Sequence, residues 1–206
     1  MNELKIYRTH SAVILPKFAT AQSACFDVSF CRAGKSEYSG YNSYNAPFTR
    51  SINTDKIIIM PGDRVMVPTG LILDIPEGYS VRVHARSGLS LKQGLILANS
   101  EGVIDSDYTQ ELFVLLTNIS ENSHVIHNGD RIAQAELVKQ EEYSIVESVS
   151  KPYAKANRIG GMGSTGVGTG TITIRTTDVN TVKTTNTIEI PEKRGRGRPK
   201  KVDIST

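Results

Sequence analysis

The chain has 206 residues, 38% apolar and 22% charged, with a mean hydropathy of −0.24, values ordinary for a single globular domain and outside the range of disordered or fibrous chains. The net charge of +3 is unevenly spread: residues 168–206 hold eight Lys/Arg against four acids, so a nearly neutral body carries a basic tail. The longest apolar run, 112–116, falls far short of the ~20 residues of a membrane span, and the run at 12–15 is too short for a signal peptide, so a soluble intracellular protein is expected. Two cysteines, Cys25 and Cys31, do not make a disulfide scaffold, and no zinc-ligand spacing surrounds them; reduced, partly buried thiols are expected.

In chain order, residues 32–55 come first as a distinct segment. They are rich in Tyr, Ser and Asn, with Gly34, Gly40 and Pro47, and read as a surface loop inserted between strands. Short apolar stretches follow at 57–60 before Pro61-Gly62-Asp63, at 65–67 before Pro68, and at 71–73 before Asp74. Residues 79–84 alternate with period 2, and further strands are expected at 112–117 and 132–138. Only 89–93 invites a helical turn, stopped by Gly94. Strands of this length and spacing imply an all-β barrel or sandwich. A glycine-rich stretch at 160–166 ends the globular part. The Thr-rich 167–190 then reads as an extended linker in which 169–175 alternates well enough to pair as a strand.

Four stretches carry chemistry. Arg86-Ser87-Gly88 sets a guanidinium beside a hydroxyl on a glycine turn, which suits a phosphate. Asn99 offers a donor and an acceptor to the polar edge of a base. It precedes Gly102-Val103-Ile104-Asp105-Ser106-Asp107-Tyr108, whose two carboxylates share a face if they lie on a strand or cap amides if they lie in a turn. One of the two suits a general base and the other a structural role. Gly129-Asp130-Arg131-Ile132-Ala133-Gln134 opens a strand with a charged pair. Finally, Arg158 precedes Gly163-Ser164-Thr165-Gly166, where backbone N–H groups and hydroxyls can approach phosphate oxygens.

In order and spacing these stretches resemble the five motifs of the trimeric dUTPases. The first motif is Ala24-Cys25-Phe26-Asp27-Val28 and the fifth is 158–166, and the resemblance as a whole covers roughly residues 4–166. It implies a distorted jelly-roll barrel over 1–156, a lid motif at 157–166, a linker at 167–190 and a basic tail at 191–206. It further implies Mg²⁺-dependent hydrolysis of dUTP to dUMP and pyrophosphate by a homotrimer whose sites lie between subunits. Such an activity limits uracil incorporation into DNA and supplies dUMP for dTTP synthesis. Under the resemblance Asp105 is the base that deprotonates water, and Asn99 reads uracil with the backbone of Gly102, Val103 and Ile104. Tyr108 lies under the deoxyribose and excludes a 2′-hydroxyl, while Asp27 holds Mg²⁺ through water. Ser87, Gly88 and the catalytic Gln134 contact phosphates. Arg86, Arg131, Asp107 and Asp130 support the site, and Arg158, Gly163, Ser164 and Thr165 close over the γ-phosphate.

The chain departs from the family pattern in having Met162 where a Phe usually stacks on uracil, Ala85 before Arg86, and Thr109-Gln110 after Tyr108. The related dCTP deaminases need a catalytic Glu three residues before an Asn on the following strand; counted back from Asn118, that position is Leu115, which disfavours deamination. A nucleotide-binding regulator without turnover is the rival of a different class. The tail contains Arg194-Gly195-Arg196-Gly197-Arg198-Pro199-Lys200-Lys201, which resembles an AT-hook for A·T-rich minor grooves. A nuclear-import signal or a plain solvated tail fits the same residues.

Overall fold

The computed structural model describes residues 3–153 and the strands at 172–175 and 185–188. The chain divides into two units, residues 1–145 and 146–206. In the first, the strands are β1 (Lys5–Arg8), β2 (Phe26–Ser29), β3 (Glu37–Tyr41), β4 (Pro47–Ser51), β5 (Lys56–Ile59), β6 (Arg64–Asp74) and β7 (Tyr79–His84). The helix α1 (Ser87–Gln93) follows, then β8 (Leu95–Leu97), β9 (Gly102–Ile104), β10 (Glu111–Asn118), β11 (His124–His127) and β12 (Arg131–Lys139). The second unit contains the antiparallel pair β13 (Ile172–Arg175) and β14 (Thr185–Ile188). Of the alternating piece at 169–175, residues 172–175 pair as a strand.

The all-β architecture expected from the sequence is what the structure has. One sheet runs β4-β3-β6-β10-β8, with β1 also on β6; a second runs β2-β12-β7-β9; β11 and β5 pair separately. Alternation along the strands sends every second side chain inward. Val65 and Val67 of β6, Val81 and Val83 of β7, Leu112, Val114 and Leu116 of β10, and Ile57 and Ile59 of β5 meet in one apolar core with Val28, Phe30 and Ile132. Helix α1 ends as expected at Gly94, whose φ of 64° is the left-handed conformation of a helix C-terminus.

Two expectations are corrected. Residues 32–55 are not a loop throughout: β3 and β4 form a hairpin whose inner strand pairs with β6, Ser39 opposite Met66. Tyr38 explains the burial, since its ring is 5% exposed and its hydroxyl donates to Ile58 O at 2.7 Å. A polar composition concealed one inward face of a strand. The strand expected to stop before Pro68 instead runs on to Asp74, because side chains repair the ladder there. Thr69 Oγ1 donates to Leu112 O at 2.6 Å and Gly70 N to Glu111 Oε1 at 2.9 Å. Gly70 itself has φ 69°, and a Cβ on it would lie 2.4 Å from Val13 Cγ2.

Candidate functional site

The second sheet gathers three of the motifs around one carboxylate. Asp27 sits on β2 directly opposite Gln134 of β12. Arg86 lies just after β7, extended at the start of α1. From there its Nε donates to Asp27 Oδ1 at 3.0 Å and its Nη1 to Arg131 O at 3.0 Å. Arg131 opens β12 and reaches the other oxygen, Nη1 to Oδ2 at 2.9 Å. Asp27 is therefore bound on both oxygens by guanidiniums from 59 and 104 positions away along the chain. Gln134 donates Nε2 to Ala85 O at 3.1 Å, tying β12 to the same turn. Ser87 and Gly88 lie exposed on the first turn of α1.

The other half lies beyond β7. A cavity of about 260 Å³ is bounded by Asn99, Gly102, Val103, Ile104, Tyr108 and the backbone side of β10. Asn99 stands in the bend between β8 and β9, and its side-chain amide has no hydrogen bond among the described residues. Gly102 is needed against Val83, since a Cβ there would be 3.0 Å from Val83 Cβ. After β9 the chain turns: Tyr108 N donates to Asp105 O at 3.2 Å, and the Tyr108 hydroxyl to Glu111 O at 3.0 Å. The turn alternative for Asp105 and Asp107 is the one realised. Both carboxylates are exposed, and neither caps an amide among the described residues. Asp130 does cap one, accepting from His127 N at 2.8 Å, a structural role at the β11–β12 turn. A larger cavity, about 720 Å³, lies under the β3–β4 hairpin against β6 and is lined mainly by apolar groups, with none of the expected site residues.

The sheet runs β2-β12-β7-β9, so Asp27 on β2 and the β9 wall of the Asn99 cavity are three strand spacings apart, about 14 Å. Arg158, Met162, Gly163, Ser164 and Thr165, and the tail residues Arg194, Arg196, Arg198, Lys200 and Lys201, lie outside the described residues. One group escaped the sequence reading. Cys25, His84 and Glu136 bring their ligand atoms within 4.8 Å of one another on the same sheet face. Residues so far apart give no sequence signal. Burial, and then the Glu136 carboxylate, push the Cys25 thiol up from its ordinary value.

The chain is thus an all-β protein with an arginine-bound carboxylate at one edge of a sheet and a small pocket at the other. The dUTPase family model matches residues 42–166. The chain is 40% identical over 141 residues to the deoxyuridine 5'-triphosphate nucleotidohydrolase of Chlamydia muridarum, covering 66% of this chain and 97% of that one. Its fold is similar to the dUTPase of Staphylococcus bacteriophage 80alpha, with a TM-score of 0.63 at 19% identity over 81% of this chain and 100% of that one. It is also similar to the dUTPase from phage phi11 of S. aureus, described with a structural Mg(II) ion, with a TM-score of 0.56 at 17% identity over 72% and 98% of the two chains. The chain belongs to the dUTPase family.

Proposed function

We propose that this chain is a dUTP diphosphatase that hydrolyses dUTP to dUMP and pyrophosphate by attack of water on the α-phosphorus. Besides the family, the observation that most supports this is Asp105. Its carboxylate is exposed and unbound among the described residues, three positions from the Tyr108 that borders the Asn99 cavity. A general base must be free to take a proton at the point where the substrate's sugar meets its phosphates. Asn99 reads the uracil edge, and Tyr108, its ring anchored through the hydroxyl to Glu111 O, fills the space a 2′-hydroxyl would need. Arg86 and Arg131 hold Asp27 in place and make the surroundings cationic, which favours a polyphosphate. Ser87 and Gln134 contact that chain, and Arg158, Ser164 and Thr165 close over its end.

Mg²⁺ fits the residues at Asp27. Each carboxylate oxygen accepts one guanidinium N–H and keeps a lone pair for a water on the metal, the mode of binding suited to an ion that dehydrates reluctantly. When bound, the ion supplies neutralisation of the charge on the phosphates.

The proposed assembly is a homotrimer that completes each site between subunits. Apolar pairs left in the open on the single chain support self-association: Leu115 opposite Met66, 39% and 40% exposed, and Val125 opposite Ile58, 44% and 40% exposed. Leu115 also leaves no carboxylate at the deaminase position. The basic run at 193–201 is proposed separately to bind A·T-rich DNA, a reading that deletion of 191–206 tests by loss of retention on such DNA. Among the described residues no helix is long and apolar enough to cross a membrane.

The experiment is pyrophosphate release from dUTP with Mg²⁺, run beside dCTP, dTTP and UTP. Selective turnover of dUTP, reduced ~10²–10⁴-fold in Asp105→Asn, is expected. Full activity in that variant, or binding without turnover by the parent, would refute the proposal.

A further inference from the structure

Cys25, Glu136, His84 and Glu101 come from all four strands of the second sheet or the positions just before them and lie on one face of it. Cys25 immediately precedes β2, Glu136 is on β12, His84 ends β7 and Glu101 immediately precedes β9. Antiparallel register puts them on one face in two adjacent rungs. Ala135 faces Phe26, so Glu136 comes level with Cys25; Val83 faces Gly102, so His84 comes level with Glu101. Since Gln134 faces His84 and Glu136 faces Arg82, His84 and Glu136 are diagonal neighbours, within reach of long side chains. The Cys25 Sγ and ligand atoms of His84 and Glu136 lie within 4.8 Å of one another. His84 Nε2 is 3.2 Å from Glu136 Oε1, close to the edge of about 3.4 Å that nitrogen and oxygen ligands span around a tetrahedral zinc ion. The other ring nitrogen, Nδ1, faces Glu101 Oε1 at 3.7 Å. A metal-bound histidine characteristically has a carboxylate in that place, which orients the ring and strengthens the bond. Glu101 is itself steadied by Arg82, Nη1 to Oε2 at 3.4 Å.

From this geometry we propose that Cys25, His84 and Glu136 bind one zinc ion per chain, with Glu101 as the carboxylate that orients His84. A sulfur, a nitrogen and an oxygen ligand select a borderline-soft divalent cation over Mg²⁺, which takes oxygen ligands. A thiolate and a carboxylate balance the ion's charge. His84 and Glu136 keep 29% and 38% of their side chains exposed, so an entry path exists and a fourth position is left for water. The ion staples β2, β12 and β7 together, the strands that present Asp27, Gln134 and the Arg86 turn. Cys25 is two positions from Asp27 and His84 faces Gln134, so this site adjoins the Asp27 cluster on the same sheet face but has its own ligands.

The test uses the full chain, stripped of metal with EDTA and titrated with Co²⁺ as a spectroscopic stand-in for zinc, and separately with Zn²⁺. One Co²⁺ per chain with a thiolate-to-metal charge-transfer band is expected, displaced by Zn²⁺. The band should vanish in Cys25→Ser, while Glu101→Gln should keep it and weaken binding ~10–100-fold. In the unmodified chain, Zn²⁺ should protect Cys25 from alkylation; Cys31, 3% exposed, serves as the buried control in the same mass spectrum. The proposal is overturned if Co²⁺ gives no thiolate band, if the band persists in Cys25→Ser, or if Zn²⁺ leaves the alkylation rate of Cys25 unchanged.

Discussion

Replacing Gly102 with alanine places a methyl group in the wall of the Asn99 cavity. Its Cβ would lie 3.0 Å from Val83 Cβ, 3.4 Å from Val83 Cγ2 and 3.7 Å from Asn99 Nδ2. Carbon atoms are at ease at ~3.5–4.0 Å, so the nearest contact is short by about half an ångström. Val83 cannot retreat, being 3% exposed and held between β9 and β12 on both sides of β7. Overpacking of this kind costs about 1–3 kcal/mol, which lowers the melting temperature by ~2–12 °C at this chain length. The cavity narrows beside Asn99, so the KM for dUTP should rise more than kcat falls, since Asp105 itself is untouched. Calorimetric melting and steady-state pyrophosphate release check the two effects. A variant that melts with the parent and keeps its KM would refute both the packing argument and the assignment of this cavity to the base.

Arg86→Lys removes the fork that joins Asp27 Oδ1 to Arg131 O. At about 1.5–3 kcal/mol for a charge-assisted hydrogen bond, kcat/KM for dUTP should fall ~10–100-fold, and an unchanged value would show that the cluster is not in the site. Asn118 is 1% exposed and donates to Ile59 O and Asn122 O while accepting from Ser120 N and Oγ. Asn118→Ala should therefore cost about 2–4 kcal/mol in denaturant unfolding, with little change in KM for molecules that remain folded. Treatment with EDTA should lower dUTP turnover and added Mg²⁺ should restore it. Circular dichroism should stay constant throughout, because the two arginines hold Asp27 without an ion.

Much of the site was legible in the residues themselves. Fixed spacing over a few positions reports a turn faithfully: Gly102 to Tyr108 forms the bend around the cavity, and Arg86-Ser87-Gly88 starts the helix that Gly94 ends. The convergence of Arg86 and Arg131 on Asp27 was not legible, because no local rule links positions 59 or 104 residues apart; the family resemblance implied only a framework role for the two arginines. The 32–55 segment misled because burial of Tyr38 depends on what it packs under, which composition does not record.

The strand-rich class, the helix stop at Gly94 and the motif residues could be read along the chain, since each depends on φ, ψ and side-chain period within a few positions. Tertiary pairing alone set β3 against β6, carried β6 through Pro68, and brought Cys25, His84, Glu136 and Glu101 together on one sheet face. Those outcomes depend on strand order and register. A shift of one residue in register would turn each of these side chains to the opposite face, and register is set by the packing of the whole core rather than by any segment alone.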